Sequence, residues 1–287
     1  MDIKKWRLFA DVADTGNFTK SGDRLGYTQS GVSHILKSLE KEVNFPLFIR
    51  SKKGVSLTPN AEALLPMARS LVSVYDNLQQ QIEEINGLNK GTIFIGTFTS
   101  ISIHWLPQII LEFQKNYPGI QIELMEGGTD EIIQWIREDR VDFGFLSKNN
   151  LSELEWIPLS KDPLVAILPK SAAIPKDGLF PISNLQNQNF IISARGTDYD
   201  IHQTLDQANV SPNIRFSSMD DHAIISMVAQ GLGMSILPQL TIHGFEDQVS
   251  YYPLQPYSER ELGIALKNNE NLSPASQKFI QLTKDLL

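Results

Sequence analysis

One stretch restricts the fold of this chain more than any other. Leu64, Ala68, Leu71, Tyr75, Leu78, Ile82 and Ile85 alternate spacings of four and three residues, a heptad seam over three repeats. Thr58-Pro59 supplies a cap and a proline at the first helical position, and Gly87-Leu88-Asn89-Lys90-Gly91 reads as a hinge that ends the pattern. A helix of some 28 residues spans about 40 Å, far longer than any neighbouring element needs. Its apolar stripe must find a partner, either the chain's own body or, as the heptad favours, the same helix of a second chain. Pro66 is expected to bend the first turns, since it donates no backbone hydrogen bond. The helix divides the chain into a head over 1–60, a linker over 61–90 and a body over 91–287.

Head and body differ in charge. The 287 residues carry a net −8. Residues 1–60 hold ten Lys and Arg against six Asp and Glu, a net of +4, and the remainder, with 15 against 27, carries −12. A basic head on an acidic body points to a head that meets a polyanion. The chain has no cysteine, which excludes disulfides, zinc–thiolate sites, iron–sulfur clusters and cysteine nucleophiles. No run of about 18 apolar residues occurs. The start, Met1-Asp2-Ile3-Lys4-Lys5-Trp6, has no apolar signal core. A cytoplasmic protein without a membrane partner is expected.

The head reads as a winged helix-turn-helix. Ile3, Trp6, Phe9, Ala10 and Ala13 mark an amphipathic first helix. Phe18, Ser21, Gly22 and Leu25 mark a short second one, with Asn17 or Thr19 placed to cap it. Gly22 costs about 1 kcal/mol against alanine in a helix, which close helix–helix approach would justify. Gly26-Tyr27 is a tight turn, and Thr28 caps a third helix that buries Val32, Leu36, Leu39 and Val43. Two short helices about a glycine turn have the layout that sends the second into the major groove of duplex DNA. Its outward face carries Gln29, Ser30, Ser33, His34 and Lys37. Gln reads adenine bidentately, and Ser or His reaches base edges or phosphates. Phe45 to Phe48 reads as an apolar strand. The basic turn after it, with Arg50, Lys52 and Lys53, reads as a wing with phosphate contacts.

The run Phe9…Phe18-Thr19-Lys20…Leu25…Thr28-Gln29-Ser30-Gly31-Val32-Ser33…Leu39-Glu40…Pro46-Leu47-Phe48…Arg50…Leu57-Thr58-Pro59 resembles the N-terminal domain of LysR-type transcriptional regulators. The resemblance covers about sixty contiguous residues. It departs at Ser30 and His34, where the family often has proline and arginine, both on the reading face. The resemblance implies dimers through the linker helix and a tetramer built as a dimer of dimers.

The body alternates strands and helices, the mark of a parallel α/β sheet. Strands are predicted at 92–96, 120–125, 141–146, 164–168, 190–193, 214–216, 234–238, 249–254 and 261–266. Helices are predicted at 100–116, 130–137, 198–208, 222–230 and 273–287. This arrangement resembles the two-lobed periplasmic-binding-protein fold of LysR effector domains. The first lobe is expected at about 91–160 plus 267–287 and the second at about 161–266. Met227 to Pro238 resembles the family's late helix–strand signature, with Gly231 and Gly233 permitting a sharp turn.

In open parallel sheets ligands bind beyond the carboxyl ends of strands, near helix starts. Four loops fit: Thr97 to Ser100, Gly127 to Thr129, Ser193 to Thr197, and Asp220 to His222. Hydroxyls and free N–H groups there suit an anionic small-molecule effector, and Arg195 has the fork to clamp a carboxylate. The alternative makes Thr99, Ser100 and Thr129 simple helix caps and pairs Arg195 with Asp198 or Asp220. The resemblance favours Thr99, Ser100 and Thr129 as effector contacts, with Arg195 and His222 as further candidates. Asp220-Asp221 reads as a solvated cap rather than an acid/base pair.

Enzyme signatures are missing. Gly91 to Thr97 lacks the lysine of a P-loop, and no GxGxxG, GxSxG or HExxH occurs. The five histidines, at 34, 104, 202, 222 and 243, lack metal-ligand spacing. No catalytic residue, metal or cofactor is expected. The function expected is a sequence-specific DNA-binding regulator controlled by a small molecule. The rival readings are a cytoplasmic solute-binding protein and an enzyme on the same two-lobed fold.

Overall fold

The computed structural model describes residues 2–51, 54–85, 90–148, 151, 153–172, 177–194, 199–268 and 272–287. Local chemistry sets the head. Helix α1 (Ile3–Thr15) starts on the Asp2 carboxylate, which accepts the Lys4 N–H. Helix α2 (Phe18–Leu25) is capped by Asn17, whose side chain accepts from both Thr19 and Lys20, so Asn17 and not Thr19 is the cap. Helix α3 (Gln29–Val43) is capped by Thr28, which accepts the Gly31 N–H at 3.1 Å. A Cβ on Gly22 would lie 2.6 Å from the Tyr27 carbonyl oxygen and 3.2 Å from Val32, so close approach is what requires glycine there. Phe9, Phe18, Val32, Leu36 and Leu39 close one core.

The wing is a hairpin of β1 (Phe48–Ser51) and β2 (Gly54–Leu57), Phe48 opposite Leu57. The strand begins at Phe48 rather than at Phe45. The Leu47 N–H donates to the Glu40 carboxylate at 2.8 Å, so a side chain serves the backbone that a ladder would otherwise use.

Helix α4 (Pro59–Ile85) runs 27 residues with Pro66 inside it. Ala61, Leu65 and Ala68 of its first half pack into the head core. Further along, Leu71, Tyr75, Leu78, Ile82 and Ile85 are exposed, Leu78 by 55% and Ile85 by 77%. The body is met by other residues: the Gln80 amide donates to the Thr92 carbonyl, and Glu84 pairs with Lys278.

The body begins with β3 (Gly91–Thr97), α5 (Thr99–His104), α6 (Leu106–Asn116), β4 (Ile120–Glu126), α7 (Thr129–Arg137) and β5 (Phe143–Ser147). Strand β3 pairs in parallel with β4 and β5. The helix expected over 100–116 is two helices broken at Trp105, because Pro107 has no N–H to continue the ladder. Strand β6 (Glu155–Pro169) is three times the length read from sequence, since Pro158, Lys161 and Asp162 interrupt its apolar run. The second lobe follows with β7 (Phe180–Pro181), a 3-10 turn (Ile182–Leu185), β8 (Asn189–Ser193), α8 (Tyr199–Gln207), β9 (Asn213–Ser218), α9 (Asp221–Ala229), β10 (Ser235–Pro238), α10 (Gln239–Ile242) and β11 (Val249–Gln255). Strand β12 (Glu259–Leu266) and helix α11 (Pro274–Leu286) end the chain.

The sheet runs β4-β3-β5-β12-β6-β11-β7, with β10 also on β6. It is mixed rather than purely parallel: β12 lies antiparallel between β5 and β6, so these two strands carry the chain across from lobe to lobe. Leu262, Ile264 and Leu266 of β12 lie in the first core with Ile93, Phe143 and Phe279, on the far side of the boundary expected at 266. In the second lobe, Leu164, Ala166 and Leu168 of β6 face one core, and Val165 and Ile167 face another. That is the period-two alternation of a strand covered on both faces. Gly231 turns the chain between α9 and β10 at φ +77°, and a Cβ on Gly233 would meet the Asn189 carbonyl oxygen at 2.8 Å.

Candidate functional sites

On the head, capping decides which side chains remain free. The Thr28 hydroxyl holds the start of α3 and lies 3.1 Å from that of Ser30. Gln29, Ser30, His34 and Lys37 are exposed along one face. Ser33 is half-buried, and its hydroxyl accepts from Arg50 Nη2 at 2.6 Å. The Arg50 guanidinium also lies 4.6 Å over the Phe18 ring of α2, so Arg50 ties the wing to both α2 and the reading helix. Lys52 and Lys53 lie outside the described residues.

Between the lobes lies a cavity of about 270 Å³. The first lobe contributes Phe98, Thr99, Ser100, the Gly127-Gly128-Thr129 turn and Ser147. The second contributes Ser193, Asp200, Ile201, Met219 and Asp221, and Arg260 projects from the crossing strand. Thr99, Ser100 and Thr129 are therefore brought together. None of the three caps a helix: the cap positions are Phe98 and Gly128, and Ser100 Oγ accepts from Arg260 Nη2 at 3.2 Å. Arg195 lies outside the described residues.

His222 is displaced from its expected role. Successive side chains on a helix diverge by about 100°, so as Asp221 lines the cavity, the His222 ring turns onto Phe245, 4.4 Å between centroids. Asp220, not Asp221, caps α9 by accepting the His222 N–H. The acidic dipeptide thus splits into one cap and one cavity group.

Sequence reasoning placed Ser193 and Asp221 in candidate ligand loops without naming them as contacts, and missed Ser147, Asp200 and Arg260. Ser147 and Ser193 end strands, a signal of the kind that identified Thr97. Arg260 gave no local signal. Its side chain is 9% exposed and donates through Nε and Nη2 to Asp162 Oδ2, at 2.9 and 2.7 Å. The other Asp162 oxygen accepts the Leu240 N–H. Ser147 Oγ of the first lobe donates to Asp200 of the second at 3.1 Å, a direct link across the cavity. Ser193 Oγ donates to Asp221 at 3.0 Å. Burial pushes the carboxyls of Asp200 and Asp221 above the usual range, against the opposing effects of these hydroxyls and of Arg260.

The head is fastened to the body by ions. Arg69 of α4, 9% exposed, binds Asp14 of the head and Glu138 of the first lobe. Ser70 donates to Asp139, which also pairs with Lys267. Nearby, Asp142 accepts from the Phe94 N–H and the Ser276 hydroxyl, and burial pushes its carboxyl up to about 6.

Comparison with known proteins follows the same division. Residues 3–62 match the family model described as bacterial regulatory helix-turn-helix protein, lysR family, and residues 86–287 match the LysR substrate binding domain. The chain is 29% identical over 289 residues to the HTH-type transcriptional regulator YvbU of Bacillus subtilis, covering 100% of this chain and 99% of that protein. A full-length OxyR variant from Pseudomonas aeruginosa is similar in structure with a TM-score of 0.75 at 21% identity, over 99% of this chain and 94% of that one. The regulatory domain of CcmR from Synechocystis PCC6803, solved in complex with 2-PG, is similar with a TM-score of 0.64 at 21% identity, over 69% and 97%. Among the described residues no helix is long and apolar enough to cross a membrane. A winged helix-turn-helix head, a long connecting helix and two α/β lobes about a cavity, each matched by its family model where one exists, make the chain a LysR-type transcriptional regulator with a DNA-binding head and an effector-binding body.

Proposed function

We propose that the protein is a cytoplasmic, non-enzymatic regulator that grips its operator with Gln29, Ser30, Ser33, His34 and Lys37 on the reading helix. Arg50, Lys52 and Lys53 of the wing hold phosphates. Thr28 positions the helix start. Head, linker and effector domain divide at about residues 60 and 90, and β12 joins the first lobe. Two chains pair through α4, which sets two reading helices in successive major grooves, and two such dimers form a tetramer. An effector with an anionic group binds between the lobes at Thr99, Ser100 and Thr129, with Arg195 as a further contact; His222 packs on Phe245 rather than on the ligand. The effector acts by binding two lobe arrangements unequally, and the long helices pass the difference to the angle between heads.

The observation that carries this reading is the cavity itself, closed by both lobes and crossed by the Ser147–Asp200 hydrogen bond. Gel-shift titration of the full chain against its own upstream region and against random duplex tests the DNA half. Tighter binding to the upstream region is expected. Equal affinity for both, across salt concentrations, rejects sequence-specific regulation and leaves a solute-binding protein.

A further inference from the structure

The interlobe cavity has two chemically different ends. Its first-lobe end presents the hydroxyls of Thr99, Ser100 and Thr129, with Arg260 on Ser100; Glu126 and Glu131 also line it, the Glu131 carboxylate accepting the Gly128 N–H at 3.0 Å. Arg260 spends Nε and Nη2 on Asp162 and Ser100, which leaves Nη1 unused by any described residue. Its second-lobe end presents the carboxylates of Asp200 and Asp221. Each accepts a hydroxyl, from Ser147 and Ser193 respectively, and neither is ion-paired with any described residue. Arg260 is neutralised by Asp162 at 2.7 Å, so among the described residues Asp200, Asp221, Glu126 and Glu131 give the walls surplus negative charge. A simple anion would satisfy the first end and be repelled by the second.

We propose that the effector is a small zwitterion, its carboxylate held at Thr99, Ser100, Thr129 and Arg260 Nη1 and its ammonium seated at Asp200 and Asp221. This rests on the reading of the cavity as the effector site and specifies its ligand class. The volume, about 270 Å³, lies below the usual range of about 300–1,000 Å³ for drug-sized ligands, which suits a molecule the size of an amino acid. An ammonium there repays what burial takes from the two carboxylates, since opposite charge favours the ionised form. It also spans both lobes, because the groups that bind its two ends come from different lobes.

Isothermal titration calorimetry on the full chain tests this with three matched probe sets: the protein α-amino acids, the same molecules lacking the amine, and the same molecules lacking the carboxylate. At least one amino acid is expected to bind about tenfold or more tighter than both of its truncated counterparts. Asp200→Asn and Asp221→Asn should each weaken that amino acid about tenfold while the amine-free counterpart binds as well as before or better. The wild-type comparison stands by itself if a variant fails to fold. Amine-free carboxylates that bind as tightly as the amino acids overturn the zwitterion and leave the cavity as an effector site. An amino acid whose affinity is indifferent to Asp200→Asn, Asp221→Asn and Thr99→Val overturns the cavity reading as well. Binding by none of the probes overturns the zwitterion.

Discussion

Gln29 is exposed at the first turn of α3, free of the capping network that occupies Thr28. Gln29→Ala is expected to cost about 1–3 kcal/mol on the preferred operator and little on random DNA, whereas alanine at Lys52 or Lys53 weakens all sequences and flattens the salt dependence. Gel shifts over a salt series separate the two patterns. Equal loss on both DNAs for Gln29→Ala would reject its base-reading role. Asp142 gives a pH prediction. Its folded carboxyl titrates near 6 against an ordinary value of 3.8. Between these values the folded chain holds a proton that the unfolded chain has lost, so stability falls as pH rises through that window and stays lowered above it. Asp142→Asn keeps both acceptor contacts on one oxygen and is expected to stabilise the protein at pH 8 by about 1–3 kcal/mol, and hardly at pH 4. Thermal unfolding at the two pH values measures it, and an equal effect at both contradicts it. At this scale the cap Thr28, and Asn17 as one of two candidates, are legible in sequence, because a cap acts on N–H groups two or three residues away. Arg260 and Asp162 are not, since their partners lie 98 positions apart.

Element boundaries follow the same division. The heptad seam of α4 is visible in spacing alone, and Leu71, Leu78 and Ile82 prove exposed in the single chain. Replacing Leu78 and Ile82 with Glu is expected to break the proposed α4 pairing and lower the oligomeric state in sedimentation equilibrium, while thermal unfolding of the head, whose core these residues do not enter, changes little. An unchanged oligomer would show that α4 is not the dimer interface. Where prolines intrude, spacing misleads in opposite directions. Pro107 breaks a helix that the apolar pattern runs through, and Pro158 and Pro163 sit within β6, whose ladder continues through its other residues. Strand pairing is a choice between neighbours distant in sequence, so β6 becomes visible only beside β12.

For the whole molecule, the decisive contacts join parts with separate cores. Arg69 links Asp14 of the head to Glu138 of the body. Arg69→Met leaves two carboxylates without their shared cation and is expected to cost about 1–3 kcal/mol, its partners being partly solvated, with a larger radius of gyration in small-angle scattering. An unaltered scattering profile would mean that other contacts hold the head in place. Inside the body, Arg260→Met strands the Asp162 charge, 6% exposed, and is expected to cost about 3–5 kcal/mol in denaturant unfolding.

Residue order by itself determined the head, the linker helix and the alternation of strands and helices. Caps, turns and periodic apolar faces act over a few positions, and each leaves its mark on the local spelling. Only the tertiary structure decided the composition of the ligand cavity. Ser100 and Arg260 stand 160 positions apart and touch because two long strands cross between the lobes. Asp221, the neighbour of a surface cap, turns inward because α9 presents that face of its first turn to the gap. Long-range pairing and helix rotation are set by packing, and packing has no local spelling.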